Sequence, residues 1–363
     1  MELIAGCYEQ VLFGYAVRPA ENWAVVSDFT HHAHSASLSA VAVNDRYVVT
    51  GSRDETIQIY DMQKKVEHGA LLQHNGTISC LEFYGRTHLL SGAEDGLICI
   101  WNAKKWECLK SIKAHKGHVT SLSIHPSGKL ALSVGTDKTL RTWNLGEGRS
   151  AFIKNLKQNA HLVKWSPSGE LYVVVIASKV NIYKLATASI SGTIVTKKNI
   201  SSLRFITDCI LAVAGDDELV RLFDCESQDC LCEFKAHENR IKDIYSFKGE
   251  DLHILVTASS DGYIKMWSLD PDKIKSSPSL LCEVNTKARL TCLAVWLKSN
   301  LEAKQTSDEA RASSSQVDEE PRIKKICWTD SGKTAERDGQ EASKKRKSTN
   351  VQQKKKKILQ RLK

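Results

Sequence analysis

Leu89-Leu90-Ser91-Gly92-Ala93-Glu94-Asp95-Gly96-Leu97-Ile98-Cys99-Ile100-Trp101 consists of two short apolar runs joined by an Asp-Gly turn. Strand-forming residues on either side of such a dipeptide specify a β-hairpin. The closing aromatic of this unit is one of seven, Tyr15, Tyr60, Trp101, Trp143, Tyr183, Phe223 and Trp267, separated by 45, 41, 42, 40, 40 and 44 residues. A period of about 40–45 residues is that of a four-stranded blade repeated around a propeller. One blade cannot bury both of its own faces, so the units must stack into a ring.

Other positions keep the same time. Asp54, Asp95, Asp137, Asp217 and Asp261 each precede their aromatic by six residues. Four residues before the Asp stand Thr50, Ser91, Ser133 and Thr257, with Val213 as the exception. His34, His74, His115 and His237 open the apolar segments that begin at Leu38, Ile78, Val119 and Ile241. With Trp101-Asn102, Trp143-Asn144 and Phe223-Asp224 closing units, the chain resembles the WD-repeat family. That resemblance implies an internal tetrad in which Asp bonds His, His bonds Ser or Thr, and the hydroxyl bonds the aromatic. A His, a Ser and an Asp also suggest a hydrolase. An enzyme needs such a set once, whereas buried polar groups must be paired in every blade. The sets are therefore read as structural: His34, Thr50, Asp54 and Tyr60; His74, Ser91, Asp95 and Trp101; His115, Ser133, Asp137 and Trp143; His237, Thr257, Asp261 and Trp267. Blade 4, with Val173, Ala177 and Tyr183, has lost the set, and blade 5 keeps Asp217 beside Val213 and Phe223. Those two blades are expected to be held by packing and to be the weakest.

Six units leave a seventh to find. Ile4–Tyr15 aligns with Leu90–Trp101 without a gap. Residues 3–17 would then be two strands of a last blade, Trp23–Phe29 its outer strand, and Leu290–Trp296 its innermost strand. The expected fold is all-β: a seven-bladed propeller over residues 1–298, its last blade shared between 3–29 and 290–297. Sharing a blade closes the circle and removes the edges an open sheet presents.

Charge separates a tail from this ring. The chain has 51 basic and 42 acidic side chains, a formal +9, and residues 299–363 hold 17 basic against 10 acidic. The ring retains 34 against 32, or +2. Residues 299–363 are polar and poor in large apolar side chains, and are expected to be a disordered basic tail. Ile323-Lys324-Lys325-Ile326-Cys327-Trp328 reads as a sticky linker or a docking peptide. The clusters Lys344-Lys345-Arg346-Lys347 and Lys354-Lys355-Lys356-Lys357 suit nuclear import and phosphate contact. No aromatics interleave them, so contact with ribosomal RNA would be electrostatic and salt-sensitive.

Several chemical motifs fail. Ser331-Gly332-Lys333-Thr334 resembles the end of a phosphate loop, but Cys327 stands where that loop needs glycine. Cys230 and Cys232 share one face of a strand near Cys225, and the chain has no C-x-x-C pair, so no zinc site is expected. His31-His32-x-His34 is a loop ending in a blade histidine. No catalytic residue, cofactor or metal is expected, and no membrane partner. The absence of a signal peptide or spanning apolar run points to a reducing intracellular compartment.

The resemblance narrows. Met1–Gly14, Asp28–His34, Ser91–His115, Ser127–Leu145 and Cys230–Asp243 are similar to the animal WD-repeat proteins that interact with p21-activated kinase. This implies a nucleolar factor for maturation of the large ribosomal subunit, working among pre-ribosomal proteins. It also implies a second role, binding the regulatory region of p21-activated kinase and restraining its activation. Spacing and composition by themselves give a monomeric docking ring with a basic nuclear tail. Rings of this family dock peptides at the mouth carrying the Asp turns. Arg53, Glu94, Thr136, Asp216 and Ser260, each just before a turn Asp, are the candidate partner-binding residues.

Overall fold

Strand-forming residues separated by turns every few positions leave little room for helix, and the computed structural model has twenty-eight strands among the residues it describes. It describes residues 1–18, 23–32, 34–249, 252–270 and 273–297. The tail 299–363, with Ile323–Trp328 and both lysine clusters, lies outside the described residues.

The strands form seven four-stranded antiparallel sheets. Six are consecutive in sequence: blade 1 spans residues 38–71, blade 2 78–113, blade 3 119–155, blade 4 162–195, blade 5 200–235 and blade 6 241–285. The seventh joins the two ends of the ring. Its innermost strand is β28 (Leu290–Trp296), followed outward by β1 (Glu2–Cys7), β2 (Leu12–Arg18) and β3 (Ala24–His31). Leu3 faces Val295 and Ile4 faces Ala294 in the β1–β28 register. The outer strand runs two residues beyond the expected Phe29, because its register with β2 extends to Leu12↔His31 across an irregularity between Gly14 and Tyr15.

Alternation along β1 shows how one sheet serves two neighbours. Leu3 and Ala5 pack with Val256, Ile264 and Met266 of blade 6. Ile4, between them, packs with Leu38, Val48 and Tyr60 of blade 1. The core therefore lies between blades.

A polar belt runs round the inner strands. Hydroxyls of Ser39, Ser79, Thr120 and Ser201 donate to the carbonyls of Ile78 (2.5 Å), Val119 (2.6 Å), Ala160 (2.8 Å) and Ile241 (2.5 Å), each on the approach to the next blade or in its inner strand. Blade 4 has Leu162 rather than a hydroxyl at its inner edge, and His161 Nε2 bonds the Ile200 carbonyl instead, at 2.7 Å. Asp243 accepts the Leu293 N–H (2.9 Å) between blades 6 and 7. Between blades 7 and 1, the Trp296 indole donates to the Asp45 carbonyl (3.2 Å), and Lys65 bridges Glu2 (2.6 Å) and Asp28 (2.5 Å).

The closing strand buries Leu290, Leu293, Val295 and Trp296. At about 1.5–3 kcal/mol per large apolar side chain, their loss rivals the ~5–15 kcal/mol that stabilises a whole domain. A chain ending at Arg289 is expected to melt without cooperativity or to associate through its bared edge, while one ending at Asn300 stays a monomer with one sharp transition. Calorimetry and sedimentation of the two chains check this.

Candidate functional site: the blade tetrads and the Asp-turn face

Each tetrad begins at a turn. In the turn of blade 2, Gly96 holds φ +80°, and an added Cβ would meet the His115 carbonyl oxygen at 2.6 Å, so only glycine fits. The turn brings Asp95 Oδ2 to 3.0 Å from His74 Nδ1, and His74 Nε2 lies 2.8 Å from Ser91 Oγ. Trp101 Nε1 donates to the same Oγ at 2.8 Å. A carboxylate only accepts, so Nδ1 carries the proton; in a neutral ring Nε2 then accepts the serine hydroxyl, whose oxygen receives the indole N–H. Every polar atom is used within the blade.

Blades 3 and 6 repeat this arrangement. His115 lies 2.8 Å from Asp137 and 2.7 Å from Ser133, which accepts the Trp143 indole at 2.9 Å. His237 lies 3.0 Å from Asp261 and 2.7 Å from Thr257, which accepts from Trp267 at 3.1 Å. The residue after each histidine also donates its backbone N–H to the turn Asp: Ser35, Asn75, Lys116 and Glu238, at 2.9–3.2 Å.

Blade 1 departs from the expected tetrad. His34 reaches Asp54 (2.9 Å) and Thr50 (2.8 Å), but the buried Tyr60 hydroxyl has no hydrogen-bond partner. Thr50 is near enough to draw its pKa down slightly, yet burial dominates and pushes it up. A phenol ends along its ring axis, whereas an indole presents N–H at its side, so Tyr60 does not reproduce the bond Trp101 makes.

Blades 4 and 5 use other means. In blade 4, Ile176 pairs directly with Lys179, leaving a two-residue Ala177-Ser178 turn with no carboxylate. Tyr172 and Tyr183 stack at 4.9 Å, and Lys154 Nζ lies 4.6 Å from the Tyr183 ring centre. In blade 5, Asp217 finds Arg221 at 2.8 Å in place of a histidine.

Electrostatics follow from these contacts. Burial alone would raise the Asp137 carboxyl, but hydrogen bonds from Thr139 and His115 outweigh it and set the pKa at about 2. Asp54 and Asp261 are lowered in the same way, burial being overcome by Thr56 and His34 in one and by His237 and Tyr263 in the other. Burial lowers the His115 pKa, against the pull of Asp137.

The five candidate docking residues occupy equivalent places. Each donates its backbone N–H to the loop entering its own blade: Arg53 to Ser37, Glu94 to Thr77, Thr136 to His118, Asp216 to Asn199 and Ser260 to Arg240, at 2.9–3.1 Å. Tyr8 does the same to Arg289 (2.8 Å) and is the seventh-blade counterpart that sequence reasoning missed, although Glu9 aligned with Asp95. Arg53, Glu94, Thr136 and Asp216 are exposed; Ser260 is half-buried, its hydroxyl 3.3 Å from Arg240 Nε. At the far ends of the inner strands lies a cavity of about 260 Å³ bordered by Glu82, Lys164, Trp165, Arg204 and Tyr245. Its residues sit at matching places of successive blades but differ in type, so no shared motif marks it. Among the described residues no group of His, Cys, Asp and Glu is placed to hold a metal, and no helix is long and apolar enough to cross a membrane.

Replacing Ser91 by Ala strands both the His74 ring nitrogen and the Trp101 N–H, and is expected to lower stability by about 1–3 kcal/mol in denaturant unfolding. Asp137 adds a pH test. Its folded pKa lies below the ordinary carboxylate value near ~3.9, so its contribution is complete above about pH 4 and is lost as pH falls toward 2. Asp137→Asn should be less stable near neutrality and show a shallower loss of stability across that acid window, as read from melting against pH.

The comparisons agree with this geometry. The family described as "WD domain, G-beta repeat" matches residues 25–61, 66–102, 106–144 and 228–268. Blade 4 and the three inner strands of blade 5, the blades that lack the full tetrad, fall outside those matches. A chicken protein named "p21-activated protein kinase-interacting protein 1-like" is 71% identical over 99% of both chains. The human "p21-activated protein kinase-interacting protein 1" is 62% identical over 90% of this chain and 84% of its own length. "Protein MAK11" of Saccharomyces cerevisiae is 31% identical over 74% of each. The chain belongs to the WD-repeat family, within the group of the p21-activated protein kinase-interacting protein 1 relatives.

Proposed function

We propose that this chain is a non-enzymatic scaffold for biogenesis of the large ribosomal subunit, acting in the nucleus and nucleolus on pre-ribosomal proteins. The observation that carries this reading is the placement of charge, with +7 of the +9 beyond residue 298. Ten of those cations fall in residues 343–363 without one acid. Such a segment serves nuclear import and retention among phosphates. The narrower family resemblance supports the same role. Repeated His-Asp-hydroxyl sets, satisfied inside their own blades, support a structural use of residues that in another setting would be catalytic.

A second reading is favoured by the names of the relatives: restraint of p21-activated kinase through its regulatory segment. A ring mouth with exposed Arg53 and Glu94 suits a charged peptide. This role by itself gives no reason for ten clustered cations.

Neutralising Lys344–Lys347 and Lys354–Lys357 in the whole chain separates the two. Microscopy is expected to show a shift from nucleolus to cytoplasm, and purification fewer pre-ribosomal particles, most clearly at raised salt. Nucleolar concentration unchanged by the neutralisation would sink the assignment. Reversing the charges of Arg53 and Glu94 together is expected to weaken binding of a kinase regulatory peptide while leaving the melting temperature in place. Unchanged affinity for the peptide would move that site off this mouth.

A further inference from the structure

The near-neutral ring hides a separation of charge. Residues 151–200 contain seven lysines and one acid, Glu170, a net +6. The rest of residues 1–298 holds 27 basic against 31 acidic, a net −4.

The fold gathers most of this excess at one place. Lys157 lies in the loop entering blade 4, Lys179 follows that blade's Ala177-Ser178 turn, and Lys197-Lys198 lie in the loop entering blade 5. Backbone hydrogen bonds stitch these segments together: Leu156 N–H to Lys138, Thr196 to Ser178, Ile200 to Ala177, and Asp216 to Asn199, at 2.8–3.1 Å. Lys116 and Lys138 of blade 3 continue the arc, Lys116 N–H meeting Asp137. All six lysines are exposed.

The register explains why blade 4 brings no acid to the arc. Val174, opposite Asn181, stands at the place of Ser133, opposite Arg141, and Ala177 stands at that of Asp137. Leu156 donates its N–H to the carbonyl of Lys138 as Ala114 does to that of Gly96, in each case the residue after the turn Asp or its counterpart, so Leu156 takes the place of Ala114. The residue that follows each then matches, which puts Lys157 where His115 stands. Blade 4 has thus exchanged a buried His–Asp pair for a lone exposed cation.

We infer that the Asp-turn face of blades 3 to 5 is a binding surface for the phosphate backbone of RNA. Lysine is a point charge that neutralises phosphate without the forked geometry of arginine, and no arginine lies in these loops. The loops also contain no Phe, Tyr or Trp, the side chains that anchor most peptide partners. Asn155, Gln158, Asn159 and Asn199 supply amides for sugar hydroxyls. Acids bound the arc on the blade 5 side, at Asp216 and Glu218, and would keep the strand off the rest of the mouth. The surface reads backbone, not base. It deepens the assembly role proposed above and rests on it for the choice of RNA.

The test uses the full chain with Lys344–Lys347 and Lys354–Lys357 neutralised, so that the terminus does not mask the ring. Poly(U), an RNA duplex and polyglutamate are the probes. Lys157, Lys179, Lys197 and Lys198 are changed together to Gln; a control changes Lys104, Lys105, Lys110 and Lys129, exposed lysines away from these loops. The first set is expected to lose about tenfold or more in RNA affinity near physiological salt, and to reduce the slope of log affinity against log salt by about 3. The control should change less than about twofold. If the fourfold variant melts lower than the control, the pairs Lys157/Lys179 and Lys197/Lys198 are changed separately, each expected to remove about half of that slope. Equal losses in both sets would overturn the site, as would loss of polyglutamate binding with RNA binding intact, which would assign the arc to an acidic protein. Such a failure would leave the assembly role standing, since that role is read from the particles that co-purify.

Discussion

The antiparallel pairing of β28 with β1 is the contact on which the rest of the ring depends. Every other blade is built from consecutive strands and is linked to its neighbours by the inner polar belt and the apolar faces between sheets. Only in this blade do residues nearly three hundred positions apart share a sheet. Loop-closure entropy must be overcome before that contact forms. The compensation is local and dense: four large apolar side chains, the Trp296 indole on Asp45, and Lys65 gripping Glu2 and Asp28 from the adjoining blade. Burial raises the Glu2 pKa while Lys65 opposes it, the balance expected when a carboxylate leaves water to meet one cation.

Once closed, the ring is held by two kinds of internal device. Blades 2, 3 and 6 complete a hydrogen-bond relay from turn to hydroxyl to indole. Blade 4 substitutes stacked Tyr172 and Tyr183, and blade 5 an Arg221–Asp217 pair. An aromatic pair contributes about 0.5–1.5 kcal/mol beyond its buried area, much the same as one net hydrogen bond. The substitution is therefore energetically tolerable, and it explains why a blade can lose its polar signature and keep its place.

Much of this was legible in the sequence because propeller constraints repeat. A Trp, an Asp and a hydroxyl at fixed offsets recur only if the same turn and burial recur, so seven aromatics set the blade count, and Ile4–Tyr15 revealed the shared blade. What repeats poorly was read poorly. Tyr60 matched the pattern by position, but ring shape decides whether the bond forms. The belt of Ser39, Ser79, Thr120 and Ser201 keeps the blade period, but a hydroxyl in an inner strand does not by itself name its partner. His161 falls on the same spacing and does the same work with a different side chain, so residue type hides what position keeps. Arg221, which replaces a histidine in blade 5, lies four residues after its Asp and reads as surface charge.

The basic arc was missed for a different reason, which connects structure to function. A net of +2 sums a stretch of +6 with a remainder of −4. Electrostatic recognition depends on where charges cluster, because screening limits their reach to about 10 Å at ~0.1 M salt. In blades 2, 3 and 6 the turn carboxylate cannot be removed without stranding a buried histidine. In blade 4 the stacked tyrosines stand in for that relay, so Ala177 and Lys157 occupy the places of Asp and His without stranding a buried partner. The missing tetrad and the cationic surface thus belong to the same blade, and the blade least like its siblings is the one to which the proposed RNA contact is assigned.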